Sequence, residues 1–501
     1  MQIRVAALSI GRYRYRPVNT PFFPSLRFRL AALGRRTAHS LRQTTLGQLQ
    51  DQIRDLLPAG LLSSEEDGPN SRERDFPLRL TFECFLWQML KLKTACREVV
   101  RQVQALRALH GLPPISEGDS AYIQARLRLP RERLEKALAA TAQTADQRVG
   151  QSPRLQGRPV KVVDGSSTQL ADTPANQRRY PQPGSQKPGC GFPVMKFVVI
   201  FSLCSGTVLQ VLLGSLHHHD LRLLRGLWDQ LNQGDILLGD RAYGEYTTLA
   251  GLPQQGVDVV ARLHQRRKVD FRKARRLGRN DGLFVWTRGC QQSEILSPNE
   301  WDLLPAQITV RIVRFTTTLR GFRNRRVTLV TSLLDPDLYP AQELAALYAR
   351  RWQLELCLRN LKTTLGMEQL RCKTPEMAQK ELLAYLVAHN LVRCLMAEAV
   401  AAHRVELERV SFKGSLDALR QFSDAISRAP NRKLRRQLWE DLLLTLARDL
   451  VPLRPNRTEP RAVKRRPKPY PLLNKPRRKF VEISHRSRYW KGRPRNYRGL
   501  N

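Results

Sequence analysis

From residue 159 onward the chain breaks into short, β-branched apolar runs, each closed by polar or turn-forming residues. "PVKVVDG" begins the series, "MKFVVIFSL" follows, and "TVLQVLLG" comes after a Ser205-Gly206 turn. An amphipathic stretch, "DLRLLRGLWDQL" (220–231), is placed for Asp220 to N-cap it. "DILLGDRAYG" (235–244) and "GVDVVARL" (256–263) supply a fourth and a fifth run. Three strands, a helix, a strand, a short helix and a strand predict a mixed α/β sheet. Residues 264–340 turn basic and then give "LFVWTRG", "ITVRIVRFTT" and "RRVTLVTSLL", which read as a β-rich insertion.

Helical periodicity lies on both sides of this region. Residues 76–152 carry apolar side chains at helical spacing and are expected to form a helical N-terminal DNA-binding region. A charged helix at 347–362 follows the insertion. A long apolar helix comes next, with Thr374 as its N-cap and Pro375 at its first position. The core is therefore expected in two pieces, 153–263 and 341–405, with a helical C-terminal region at 406–450. Residues 1–75 are loosely patterned. Residues 451–501 hold 17 Lys+Arg against 2 acids, with Pro and aromatics interleaved, and are expected to be disordered and to contact phosphate.

Charge narrows the function. The chain carries 85 Lys+Arg against 44 Asp+Glu, a net +41, and +26 of this remains without the tail. A polyanionic partner follows, nucleic acid ahead of an anionic membrane. The longest apolar stretch, 192–214, contains Lys196 and a Ser-Gly break, so it fits two buried strands better than a membrane span. The start of the chain lacks the apolar run and small-residue cleavage site of a signal peptide. A soluble cytoplasmic, nucleoid-associated protein without membrane partners is expected. The eight cysteines include no C-x-x-C pair and read as reduced core residues. No phosphate-loop or dinucleotide fingerprint appears, so no nucleotide cofactor is expected.

Three carboxylates carry the chemistry. Asp164 follows "PVKVV" and precedes the turn-like "GSS"; Asp240 follows "DILLG". Carboxylates at the ends of neighbouring strands point into the crevice where open α/β sheets bind ligands. The third, Glu355, stands among cations in "LYARRWQLELCLRNLK" (347–362). At about 100° per residue, Tyr348, Arg351, Glu355 and Lys362 share a stripe roughly 60° wide, with Trp352 and Arg359 at its edge. Read alone, such a stripe is a solvated face laced with salt bridges. Beside two strand-end aspartates, the third carboxylate suits Mg²⁺ or Mn²⁺ in a two-metal site, and the cations suit phosphate.

The spacing Tyr-x2-Arg-x3-Glu-x6-Lys at 348–362 resembles the YREK signature of DDE transposases of the insertion sequence 4 family. "VVDGSSTQL" resembles the first aspartate block of that family and "LLGDRAYGEY" the second. The long Asp240–Glu355 gap is similar to that of members with a β-strand subdomain before the catalytic helix. The resemblance covers about 160–400. It implies a ribonuclease-H-like core, with Asp164, Asp240 and Glu355 as metal triad. It also implies double-stranded DNA partners (transposon terminal repeats and target DNA) and a homodimer in the DNA complex. The activity expected is hydrolysis at the element's ends followed by 3′-OH strand transfer. A catalytically silent DNA-binding relative and a structure-selective nuclease with the same core are the alternatives. Tyr348, Arg351 and Lys362 are expected to bind terminal phosphates, joined by Trp352 and Arg359. Trp286, in the insertion, is the candidate for stacking on a flipped base, as an insertion Trp does in related transposases. Lys196 and Arg262, at strand ends, are weaker candidates for DNA contact. Three adjacent histidines, 217–219, cannot all face one ion and read as a loop.

Overall fold

A computed structural model describes residues 61–62, 75–109, 111–150, 155–186, 189, 191–290, 293, 295–316 and 326–452. Most of the expected N-terminal segment and nearly all of the basic tail lie outside the described residues.

The apolar runs are near-continuous, as strands buried on both faces require. These are β1 (Val160–Gln169), β2 (Val194–Ser202), β3 (Val208–Ser215), β4 (Ile236–Gly239) and β5 (Asp258–Arg262). The basic region adds β6 (Arg275–Gly278), β7 (Asp281–Thr287), β8 (Gln307–Thr316) and β9 (Arg326–Thr331). All nine join one mixed sheet in the order β3-β2-β1-β4-β5-β9-β8-β7-β6. The β-rich insertion thus prolongs the core sheet, because β9 pairs antiparallel with β5. Only β1–β4 and β4–β5 are parallel. β1 also runs further than expected. "GSST" makes no turn, because Asp164–Gln169 stays paired with Val194–Val199 of β2.

Helices cover both faces. Before the sheet come α1 (Leu78–Leu90), α2 (Cys96–Leu109), α3 (Ser120–Arg128) and α4 (Arg131–Val149). Within it lie α5 (Pro174–Arg179), α6 (Asp220–Arg225), α7 (Tyr246–Gln254) and α8 (Pro298–Asp302). After it come α9 (Ala341–Arg350), α10 (Trp352–Arg359), α11 (Pro375–His403), α12 (Phe412–Arg428) and α13 (Arg432–Arg448). The expected 220–231 helix stops at Arg225, and His219 rather than Asp220 accepts the capping bond from Leu221 N–H. Thr374 caps α11 as expected, accepting from Met377 N–H, with Pro375 at the first position.

α11 is the hub of the larger core, which also holds Val160 and Val162 of β1, Leu238 of β4 and residues of α1, α4, α10, α12 and α13. By length and hydropathy it resembles a membrane span, yet 83% of its most apolar window is buried inside the protein. Its Asn390 accepts from Val208 N–H at 2.8 Å and donates to Val208 O at 2.8 Å, fastening α11 to β3. The opposite face of the sheet is covered by a second cluster around Val163, Leu237, Trp228 and Tyr243.

One buried ion pair joins the sheet extension to the segment entering α9. Arg311 of β8 is fully buried, pairs with Asp281 of β7 at 2.5 Å, and donates to the carbonyls of Asp335 and Tyr339 at 3.1 and 2.7 Å. Removing one partner strands the other charge in the core. Arg311→Met should therefore lower unfolding stability by about 3–5 kcal/mol, measured in urea. Adding Asp281→Asn should recover part of the loss, and equal stabilities of all three proteins would refute this role.

Candidate active site

The parallel strands set the geometry. Val162 of β1 lies level with Leu238 of β4, and Leu238 with Val260 of β5. Two residues on, Asp164, Asp240 and Arg262 therefore form a row across three adjacent strands. Strand spacing separates neighbours in that row by about 5 Å. Side-chain alternation puts all three on the face of Val162, Leu238 and Val260, the face on which α10 packs through Leu354, Cys357 and Leu358. Asp240 accepts from Ala242 N–H at 2.8 Å just past the end of β4, and Asp164 accepts from Gly165 N–H at 2.8 Å.

The helix over this row is not the uninterrupted one that periodicity suggests. It tightens at Arg351, whose N–H donates to Tyr348 O and whose carbonyl accepts from Leu354 N–H. It widens again into a π turn at Asn360–Thr364. That wide turn buries Leu361 and Leu365 completely while Lys362 reaches β1, donating to Ser166 Oγ at 3.3 Å. Arg351 donates to Glu355 at 3.0 Å. Tyr348, Arg351, Glu355 and Lys362 are thus brought to the row.

The electrostatics tie these groups together. Burial pushes the Asp164 carboxyl up to about 6; Gly165 N–H and Arg351 pull it down, and the negative charges of Asp240 and Glu355 push it further up. Burial opposes the Arg351 charge, but Tyr348, Asp164 and Glu355 together hold its pKa above the ordinary value. Burial also raises the Tyr348 hydroxyl. Behind the row, the Tyr243 hydroxyl is buried without a hydrogen-bond partner, raised by burial and by Asp220, Asp164 and Asp240. Gly165 is needed there, since a Cβ would come within 2.8 Å of Asp220 Oδ1, itself paired with Lys196 at 2.9 Å.

Three carboxylates around one crevice are the donor chemistry of a hard divalent cation. Among the described residues no three His, Cys, Asp or Glu side chains are already gathered into a metal-holding group, and Glu355 is turned to Arg351 instead.

The sequence from 155 to 391, which spans both aspartates and Glu355, matches the Transposase DDE domain family. Transposase InsG for insertion sequence element IS4, from Escherichia coli (strain K12), is 27% identical over 408 residues, 81% of this chain and 89% of that protein. The chain is thus similar to the DDE transposases of the insertion sequence 4 family. The transposase for insertion sequence element IS421 of Escherichia coli is 42% identical over 66 residues, 13% of this chain and 18% of its own length. A solved piggyBac transposase synaptic complex with hairpin DNA aligns at a TM-score of 0.37 and 10% identity, over 80% of this chain and 82% of that one. Transposases of this family generally use divalent metal ions.

Three expected site residues lie elsewhere. Trp352 is 46% exposed on the outer side of α10. Arg359 lines a cavity of about 420 Å³ behind that helix with Gln353, Arg393 and Lys413. Trp286 packs into the second core cluster, 9% exposed, with the Arg267 guanidinium 3.9 Å over its ring. An alternating strand pattern cannot say which face its Trp takes. Lys196 turns to Asp220 and the His218 carbonyl, away from the row. Sequence reasoning passed over Ser166 and Tyr243, although Ser166 shares the face of Asp164 by simple alternation.

The raised Asp164 carboxyl has a stability signature. With its folded pKa above the unfolded one, the stability it contributes is fully present below about pH 4 and is lost as pH rises through about 6. Without metal, Asp164→Asn should therefore be more stable than the parent at pH 8, by about 3 kcal/mol, with the gap closing below about pH 4. A gap independent of pH would refute the coupling.

Proposed function

We propose that this transposase hydrolyses the phosphodiester at the ends of its element and directs the freed 3′-OH against target DNA, using Asp164, Asp240 and Glu355 as its metal-binding carboxylates. The observation that carries the reading is the register that sets Asp164 beside Asp240, with Glu355 on the helix covering the same face. The β3-β2-β1-β4-β5 order, antiparallel then parallel, supports a ribonuclease-H-like core in 153–263 and 341–405, prolonged by the strands of 264–340.

Asp164, Asp240 and Glu355 would hold Mg²⁺ or Mn²⁺, which would supply charge stabilisation to the attacking and leaving oxygens of an in-line displacement. The protein's own groups do the rest. Arg351 leaves Glu355 for phosphate oxygens when DNA arrives, freeing the carboxylate at the moment it is needed. Tyr348 offers one hydroxyl, and Lys362, held over β1 by Ser166, a point charge. The helical 76–152 region and the basic tail serve DNA binding away from the chemistry.

Strand nicking on a duplex carrying a terminal repeat, in Mg²⁺, tests the assignment. Glu355→Ala should cut at least about 100-fold more slowly, and Mn²⁺ should raise the melting temperature of the parent but not of Asp164→Asn. A Glu355→Ala protein that cuts normally refutes the triad. Arg351→Ala should keep the Mn²⁺ shift yet lose binding of the cut end. Exposed helix ion pairs are worth only about 0.3–0.5 kcal/mol, so a mutant with the parental cutting rate would return Arg351–Glu355 to an ordinary surface pair.

A further inference from the structure

The row of three strand-end residues has a third member that the carboxylate triad does not use. Arg262 stands level with Asp240 on the next parallel strand and faces the same side. Its guanidinium makes no hydrogen bond or salt bridge with any described residue. Its neighbours include two other guanidiniums, Arg241 and Arg351, and one carboxylate, Asp240. Burial and those two like charges lower its pKa. Arg351 is matched by Glu355 and Asp164, whereas Arg262 has no ion-pair partner and two like charges beside it, which favours an anion at its guanidinium. Arg is also the side chain whose planar fork matches phosphate.

The chain that leaves Arg262 continues this charge outward. Between Arg266 and Arg279, eight of fourteen residues are exposed Lys or Arg against one acid, Asp270. Of these eight, only Arg272 has an acidic partner among the described residues. The ribbon begins at the rim of the site, where Arg241 donates to Gln265 at 3.0 Å. It is held to the sheet by Arg267 over Trp286 at 3.9 Å and Arg314 over Phe271 at 4.8 Å. An unanchored charge run needs no partner beyond water. This one is fixed to the sheet extension and starts in the row of the carboxylates.

We propose that Arg262 binds a DNA phosphate beside the carboxylate site, and that the strand it holds leaves the site along the cationic ribbon 266–279. The proposal rests on the function given above and adds a phosphate seat and a direction for the DNA. The ribbon runs on from β5 and leads toward the β6 edge of the sheet, so the DNA continues past the carboxyl ends of the parallel strands.

The test is the salt dependence of binding of a terminal-repeat duplex, read without divalent ion, alongside nicking in Mg²⁺. Arg262→Gln should reduce the slope of log affinity against log salt by about one. It should also slow nicking at saturating DNA roughly 10- to 100-fold, with an unchanged melting temperature. Arg262→Lys should keep the slope and recover part of the rate, which a purely structural role would not produce. Replacing Arg272, Lys273 and Arg276 together by Ala should reduce the slope by about three. An unchanged slope in Arg262→Gln, or a lowered melting temperature that Arg262→Lys fails to restore, overturns the phosphate seat; an unchanged slope in the triple variant overturns the track. Because binding is read without metal, failure of the carboxylate assignment would appear in the Asp164 and Glu355 variants and leave these slopes as they are.

Discussion

The hydrogen-bond register between β1, β4 and β5 is the constraint on which the site depends. Leu238 lies opposite Val162 and beside Val260, so three residues separated by long stretches of sequence stand in one line. A one-residue slip of β4 would turn Asp240 to the opposite face and Leu237 toward α10. The slip is prevented by burial on both faces, since Ile236 and Leu238 fill one core cluster and Leu237 the other. The geometry of the candidate site is therefore enforced by apolar side chains on both faces of β4.

Around that line the protein accepts electrostatic conflict. Asp164 is half-buried near two other carboxylates, and Arg262 near two other guanidiniums. Only some of these charges are matched internally, as in the Arg351–Glu355 pair. Unmatched charge of both signs in one crevice is what a site needs if its occupants are cations and phosphates together. The surrounding fold supplies the offsetting stability, with α11 buried along most of its length and the Arg311–Asp281 pair fixing the approach to α9.

The helix carrying Glu355 shows how local departures from regularity serve this arrangement. A tightened turn at Arg351 and a π turn at 360–364 rotate its side chains relative to an ideal helix. Leu361 and Leu365 can then both enter the core while Lys362 stays over β1. The cost of an irregular helix is met by apolar burial, and a cation is left over the strand that carries Asp164.

Much of this was legible in the chain itself. Short β-branched apolar runs, the Thr374-Pro375 start of α11, the two aspartates after apolar runs and the spacing from Tyr348 to Lys362 are local patterns, and local patterns follow from backbone geometry and side-chain type. The long antiparallel pairing that carries β1 past Asp164, the continuation of one sheet into β6–β9, the place of Arg262 beside Asp240 and the burial of Trp286 were decided only by the tertiary structure. Each depends on which strand lies beside which and in what register. Hydrogen bonds between residues far apart in sequence set that register, and no single segment contains it.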